Sequence, residues 1–417
     1  MSAPPAAAPR AGGERQWEER VQRTAHPLAY PVLARIRRPV LRVPRVGVVV
    51  TDATLLREVL LDTEAFRKTG PGSPADLWTP VLGPSVLLNM EGVDHLALRR
   101  RLGPLFSPGY VGALTDDTLG GATAALTGRL EAGEPVDIVR EVRDYAGRVI
   151  SRLVGLDRDV IGEELFARVS AITGFVRLSR PRFTERQVRA AREVLDELTR
   201  HARTAYRDDG ATTGSSAASS AVSSAAQGAD GGSATTVPGR MRELGLSEDE
   251  AMGAVGAFVL TGTETLVSYL PRMVALLADT GWLAGVAADR RMLGPAIAEG
   301  LRVTTPSPVM LRSVEREATI GTVRVHPGDR VVLATFLADR AAGPFDPVAN
   351  PAASLKQLWF GAGAHFCLGA PLAMAQITRV LGAVLDAEHE HPLAVTERRA
   401  QRGALIPGYS RLVLARR

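Results

Sequence analysis

Residues 359–370 read Trp359-Phe360-Gly361-Ala362-Gly363-Ala364-His365-Phe366-Cys367-Leu368-Gly369-Ala370, and this stretch decides the fold. Cys367 is the only cysteine among 417 residues, and it shares its loop with three glycines and one histidine. Glycines at this density let a backbone adopt positive φ or press close to something flat and bulky. A thiolate among free backbone N–H groups suits an iron ligand whose electron density is tuned by hydrogen bonds to the sulfur. An isolated free cysteine is more often a small core residue, so the reading depends on the pattern around it.

That pattern is Phe-Gly-x-Gly-x-His-x-Cys-x-Gly over residues 360–369, followed by Ala-Pro-Leu-Ala at the start of an apolar helical run. It resembles the haem-binding signature of the cytochrome P450 superfamily. The resemblance implies a mainly α fold with small β-sheets. Haem b (iron protoporphyrin IX) would lie between a long central helix and the helix that leaves the cysteine loop. Cys367 would be the axial ligand of the haem iron, with Phe360, Gly361, His365 and Gly369 shaping its surroundings.

Upstream, residues 247–279 form the longest apolar periodic run, opening on the capping signal Ser247-Glu248-Asp249-Glu250. In its middle stands Thr261-Gly262-Thr263-Glu264-Thr265, poor helix formers with a carboxylate among them. Such a site invites local opening, with hydroxyls and water completing the backbone hydrogen bonds. The segment is similar to the family's Ala-Gly-x-acid-Thr motif, with Thr261 in place of the usual Ala. The resemblance makes Glu264 and Thr265 an acid–alcohol pair that relays protons to the haem. Thr261 adds a hydroxyl above it.

Residues 296–303 read as a helix with Glu299 and Arg302 at i and i+3, close enough to pair. The family has a buried Glu-x-x-Arg here that supports the proximal side, completed by a later Arg or His. In this chain Pro344 stands where that Arg is expected, which leaves the third partner open. His95 and Arg99 lie four apart on one face of a helix over 94–106. With Arg312 and His365, the resemblance assigns them to the haem propionates. Arg100 and Arg101 would then point outward, toward a small acidic electron-transfer protein.

The remaining expectations concern the pocket and the chain's organisation. Residues 39–52 read as two short strands, 66–89 as a long binding loop, and 178–182 as a lid. A pocket lining of Trp78, Leu88, Phe258, Thr261, Val309, Met310, Leu405 and Ile406 is expected, the last two at the tip of a hairpin over 403–414. Residues 1–25 read as a disordered tail without an apolar signal core. Residues 26–417 form one domain, interrupted by a flexible Ser/Ala/Gly-rich insert at 210–236. The basic excess, 50 Lys+Arg over 45 Asp+Glu, includes no block that implies nucleic acid. No run of 18 apolar residues occurs, which argues against a membrane anchor. One cysteine fits a reducing cytoplasm and excludes an internal disulfide framework.

The resemblance therefore implies a monomeric haem-thiolate monooxygenase that inserts one oxygen atom of O2 into a lipophilic secondary metabolite such as a terpenoid or polyketide. Oxidative coupling, desaturation or rearrangement on the same haem is the alternative reaction, and a non-catalytic haem sensor or carrier the alternative class. With no Gly-rich dinucleotide loop and no cysteine set for an iron–sulfur cluster, electrons must come from NAD(P)H through separate reductase and ferredoxin partners.

Overall fold

A computed structural model describes residues 13–156, 162–175, 182–208 and 234–417. The helix Glu248–Asp279 runs through the middle of the molecule. Its start is the predicted capping box: the Ser247 hydroxyl accepts the Glu250 N–H at 3.3 Å, and the Glu250 carboxylate accepts the Ser247 N–H at 2.9 Å. This helix is long and apolar enough to cross a membrane by length and composition, yet 67% of its most apolar window is buried inside the protein. What covers it is other helices: Ile138–Leu153, Gly162–Thr173, Glu185–Asp208, Leu293–Thr304 and Ala370–Glu390 all pack on it. Together they enclose one large apolar cluster.

A five-stranded sheet lies to one side, in the order Val40–Val43, Gly47–Val50, Arg330–Leu333, Met310–Val314, Phe66–Arg67. Only the Gly47–Val50 and Arg330–Leu333 pair is parallel. Val48, Val49 and Val50 are all buried, which requires apolar contacts on both faces and suits an unbroken β-branched run. Along Met310–Val314 the alternation sorts side chains. Val309 and Leu311 join the cluster of Tyr30, Val332 and Phe336, whereas Met310 packs with the opposite cluster.

Several sequence expectations need correction. Residues 66–89 are not one loop: they contain a strand, Phe66–Arg67, and the helix Pro74–Leu82, with Ser73 as its cap and Pro74 at its first turn. The expected tail includes a helix, Gly13–Ala25. Its Glu18 is buried against Arg272 of the central helix, and Arg340 approaches the same carboxylate at 3.3 Å. The C-terminal hairpin pairs Leu393–Ala400 with Tyr409–Arg416, so residues 403–408 belong to its connection rather than to a strand. Of the insert, residues 210–233 lie outside the described residues. Its last residue, Thr236, caps the helix Val237–Glu243. The candidate lid at 178–182 lies, except for Arg182, outside them as well.

Candidate active site: the Cys367 loop and its ring of cations

The cysteine loop is built from two short 3-10 turns, Leu358–Phe360 and Gly363–His365. Gly361 and Gly363 have φ of +84° and +64°, the left-handed region that only glycine enters freely. At Gly363 a Cβ would also come within 3.2 Å of Leu61. The Cys367 N–H donates to the Phe360 carbonyl at 2.9 Å and folds the loop back on itself. Burial pushes the Cys367 thiol up, against the opposing effects of the Gly369 and Ala370 N–H groups and of Lys68 and Arg99. The same cysteine is nevertheless exposed. Both observations hold for a sulfur deep in the protein whose free side faces an interior cleft.

Around that cleft the fold gathers charge from four separate segments. His95 and Arg99 come from the helix Gly92–Leu102, Arg312 from the sheet, His365 from the cysteine loop, and Lys68 from the end of Phe66–Arg67. The His95 and His365 rings are 4.3 Å apart, centroid to centroid. Burial, then the neighbouring His365, pushes His95 down to about 4. Arg312 is buried and pushed down to about 10 by desolvation. Lys68 is pushed down to about 8, first by burial and then by Arg312. Glu91 is the carboxylate in this group. Burial raises it, but hydrogen bonds from His365 Nε2, at 2.6 Å, and from the Lys68 backbone N–H hold it below the usual carboxylate range.

Lys68 and Glu91 escape a sequence reading. Glu91 stands 274 residues from its His365 partner, and no local spacing announces the pair. The one available signal is compositional: Lys68 is one of only two lysines among 50 basic residues.

The other wall is the central helix. Thr261 and Gly262 are exposed in the middle of a helix whose flanking residues, Val259, Leu260 and Thr263, are buried. Phe258 stacks edge-on against Phe106, centroids 5.1 Å apart. Phe106 in turn reaches the cysteine loop, where a Cβ on Gly369 would lie 3.9 Å from both its ring and the Cys367 sulfur. The expected opening of the helix is not observed. Instead the hydroxyls bond back to carbonyls one turn earlier, Thr261 to Ala257 at 2.7 Å and Thr263 to Val259 at 3.0 Å. Thr265 makes only long contacts, 3.5 Å to the Thr261 carbonyl and 3.4 Å to that of Gly262. Glu264 turns toward Ser170 and Thr173 of Gly162–Thr173. Burial raises its pKa despite their hydrogen bonds, and its Oε1 has no partner among the described residues.

The donor set fits a haem. Lys68, Arg99 and Arg312 outnumber the one carboxylate between them, and Arg312 Nε and His365 Nδ1 are buried without a partner among the described residues. Buried cations need anions, and a haem brings two carboxylates on one edge of a flat ring, with an iron for the sulfur at its centre.

No family model matches the chain. Among curated proteins it is similar to the C-19 steroid 1alpha-hydroxylase of Sorangium cellulosum, 29% identical over 340 residues that cover 78% of each protein. It also resembles the cyclomarin C epoxidase of Salinispora arenicola, 27% identical over 75% of this chain and 76% of the relative. A cytochrome P450 enzyme from Bacillus subtilis shares its structure with a TM-score of 0.72, at 19% identity, over 94% of this chain and all of that one. With the cysteine loop and its cations in place, these likenesses decide the family. The chain belongs to the cytochrome P450 superfamily.

In this cytochrome P450 monooxygenase, Glu299 and Arg302 of the helix Leu293–Thr304 form an ion pair in which both side chains are fully buried. Arg302 Nε and Nη2 donate to the two Glu299 oxygens at 2.8 and 2.7 Å. The missing third side chain is replaced by backbone: Arg302 donates to the carbonyls of Asp339 and Gly343 at 2.9 Å each and of Pro344 at 2.6 Å. Glu299 also accepts the N–H groups of Asp346 and Ala352, at 3.1 and 2.7 Å. No cation from the 343–347 stretch is required.

The expected pocket residues divide. Phe258 stands against Phe106, Thr261 is exposed in mid-helix, and the Met310 sulfur lies 3.9 Å from a Cβ built on Gly361 of the cysteine loop. Val309 packs with the cluster on the far face of the sheet, so strand alternation turns it away. Trp78 is half-buried and stacks on Phe183 at 5.5 Å, and Leu88 is half-buried in the segment before Glu91. Leu405 and Ile406 sit in a connection tied to its surroundings through backbone. The Leu405 carbonyl bonds His26 Nε2 at 3.1 Å, and the Pro407 carbonyl accepts from Ser268 at 2.6 Å and Arg272 at 3.2 Å. Arg101 is not an outward docking cation: it forks onto Glu250 and the Gly245 carbonyl, joining its helix to the start of the central one.

Proposed function

We propose that this cytochrome P450 holds haem b through Cys367 and hydroxylates or epoxidises a lipophilic secondary metabolite of terpenoid or polyketide kind. When bound, the haem supplies the activation of dioxygen, one atom going to a C–H or C=C bond of the substrate and the other to water. Cys367 presents its sulfur to the iron, with the Gly369 and Ala370 N–H groups tempering its charge. His95, Arg99, Arg312 and His365 hold the haem carboxylates. Phe258 and Met310, with Trp78, Leu88, Leu405 and Ile406 in the surrounding segments, supply apolar surface that favours a lipophilic substrate and excludes water. Thr265 holds a proton at its Oγ1, and Glu264, whose pKa burial raises, is the carboxyl that resupplies it. The names of the relatives, a steroid hydroxylase and an epoxidase, support the substrate and reaction class. The reading further includes a single domain, a cytoplasmic location, a monomeric state, and electrons delivered by ferredoxin and its reductase.

The observation that carries this reading is the exposed Cys367 beside buried Arg312 and half-buried Lys68 and Arg99, cations that lack enough carboxylates. The test is Cys367→Ser in the haem-loaded protein. The long-wavelength Soret band of the reduced CO complex, present in the wild type, is expected to vanish. A variant that keeps the band overturns the assignment of Cys367.

A further inference from the structure

We propose that Lys68 is a haem-carboxylate ligand of this chain, a cation that acts beside Arg99 and Arg312 and that no motif marks. The inference rests on the haem-binding reading above and adds to it a residue from a different segment. Its first support is strand register. Phe66 faces Val314 and Arg67 faces Ser313 in antiparallel pairing. Continued by one residue, that register sets Lys68 across from Arg312. Like charges directly opposite one another on paired strands are destabilising, and more so away from bulk water. Arg312 is buried, and the half-buried Lys68 stands close to Arg312, Arg99 and Cys367. A pair of cations is placed this way where an anion sits between them.

The charge of Glu91 acts on both cations, but one carboxylate serves two of them and hydrogen-bonds to neither side chain: Oε1 accepts from the Lys68 backbone N–H and Oε2 from His365 Nε2. Glu91 thus pins the main chain at Lys68 and leaves the ammonium free, with no hydrogen bond to any of the described residues. The Ala75 N–H, donating to the Lys68 carbonyl at 3.1 Å, fixes the residue from its other side. A backbone held at both ends and a side chain left unpaired are the arrangement of a preset ligand arm. Arg312 repeats it: its Nη1 bonds the Leu311 carbonyl at 2.7 Å, while its Nε is buried without a partner among the described residues. Both side chains thus carry positive charge that no carboxylate hydrogen bond takes up. A haem carboxylate supplies that bond, within reach of a sulfur whose own charge is felt by both Lys68 and Arg99.

The test compares Lys68→Met and Lys68→Arg with the wild type, all haem-loaded. Two quantities are measured: the rate at which haem transfers to excess apomyoglobin, and the iron(III)/iron(II) midpoint potential. Loss of one charge-assisted hydrogen bond predicts transfer about tenfold faster for Lys68→Met. Removal of a positive charge near the iron also predicts a lower midpoint potential. Lys68→Arg, which keeps the charge, is expected to restore most of both. Should Lys68→Met fail to accumulate as folded protein, Lys68→Gln carries the same expectation. The proposal is overturned by transfer within about twofold of wild type, or by faster transfer with an unchanged potential, which a purely structural role would produce. If the wild type itself takes up no haem, it is the parent reading that fails.

Discussion

Arg302→Lys isolates what the proximal support contributes. The guanidinium uses all five of its donors, two on Glu299 and three on the carbonyls of Asp339, Gly343 and Pro344. A lysine keeps the charge but brings only three N–H groups on one nitrogen. At least two buried acceptors therefore lose their partner. Each such loss costs about 1–3 kcal/mol, so the substitution is expected to cost about 2–6 kcal/mol. Against a net stability of about 5–15 kcal/mol for a folded protein, that is a large fraction. The assay is urea unfolding followed by far-UV circular dichroism, with haem absorbance recorded in parallel. The haem signal is expected to be lost at lower urea than the helical signal, because the cluster ties down residues 339–352, the segment that leads into the cysteine loop. A change in unfolding free energy below about 1 kcal/mol, with the two signals lost together as in the wild type, would refute the reasoning.

Two further predictions concern protons. Asp339 is buried, with one oxygen 3.2 Å from the Thr305 hydroxyl and the other unpartnered among the described residues. Burial pushes it up to about 8. A carboxyl raised in the folded state contributes stability that is fully present below about pH 4 and lost as pH rises through about 8. Asp339→Asn, which cannot ionise, is therefore expected to gain on the wild type between those limits and to hold a constant advantage above them. Urea midpoints from pH 5 to 9 check this, and a difference independent of pH would count against it. At the central helix, Thr265→Ala is expected to leave haem and substrate binding intact. Product per NAD(P)H should fall, by as much as the roughly 10²–10⁴ that proton transfer contributes, while hydrogen peroxide rises. Wild-type coupling with no extra peroxide would show that the Thr265 hydroxyl only folds back on its helix.

The features legible in the sequence are those whose cause is local. The glycine-punctuated loop around Cys367 reads correctly because positive φ at Gly361 and Gly363 is a property of those residues. Ser247 and Glu250 announce the start of the central helix because a capping box closes within four residues. Periodicity likewise places the helix that carries His95 and Arg99. The misplaced elements have non-local causes. Gly13–Ala25 is polar in composition, and its docking rests on Glu18 meeting Arg272, 254 residues away. Val309 and Met310 are both apolar, and only the pairing of their strand tells which one faces the cleft. The partners that complete Arg302 are carbonyl oxygens, which every residue has and no side-chain pattern can mark. Lys68 and Glu91 make the same point at the site itself. By itself the sequence singled out a cysteine, a histidine and the pair His95 and Arg99 on one helix as candidates for a single site, since each lies in a short motif. Only the tertiary structure decided which other charges surround it, because burial beside an unpaired cation arises from segments that meet across the fold.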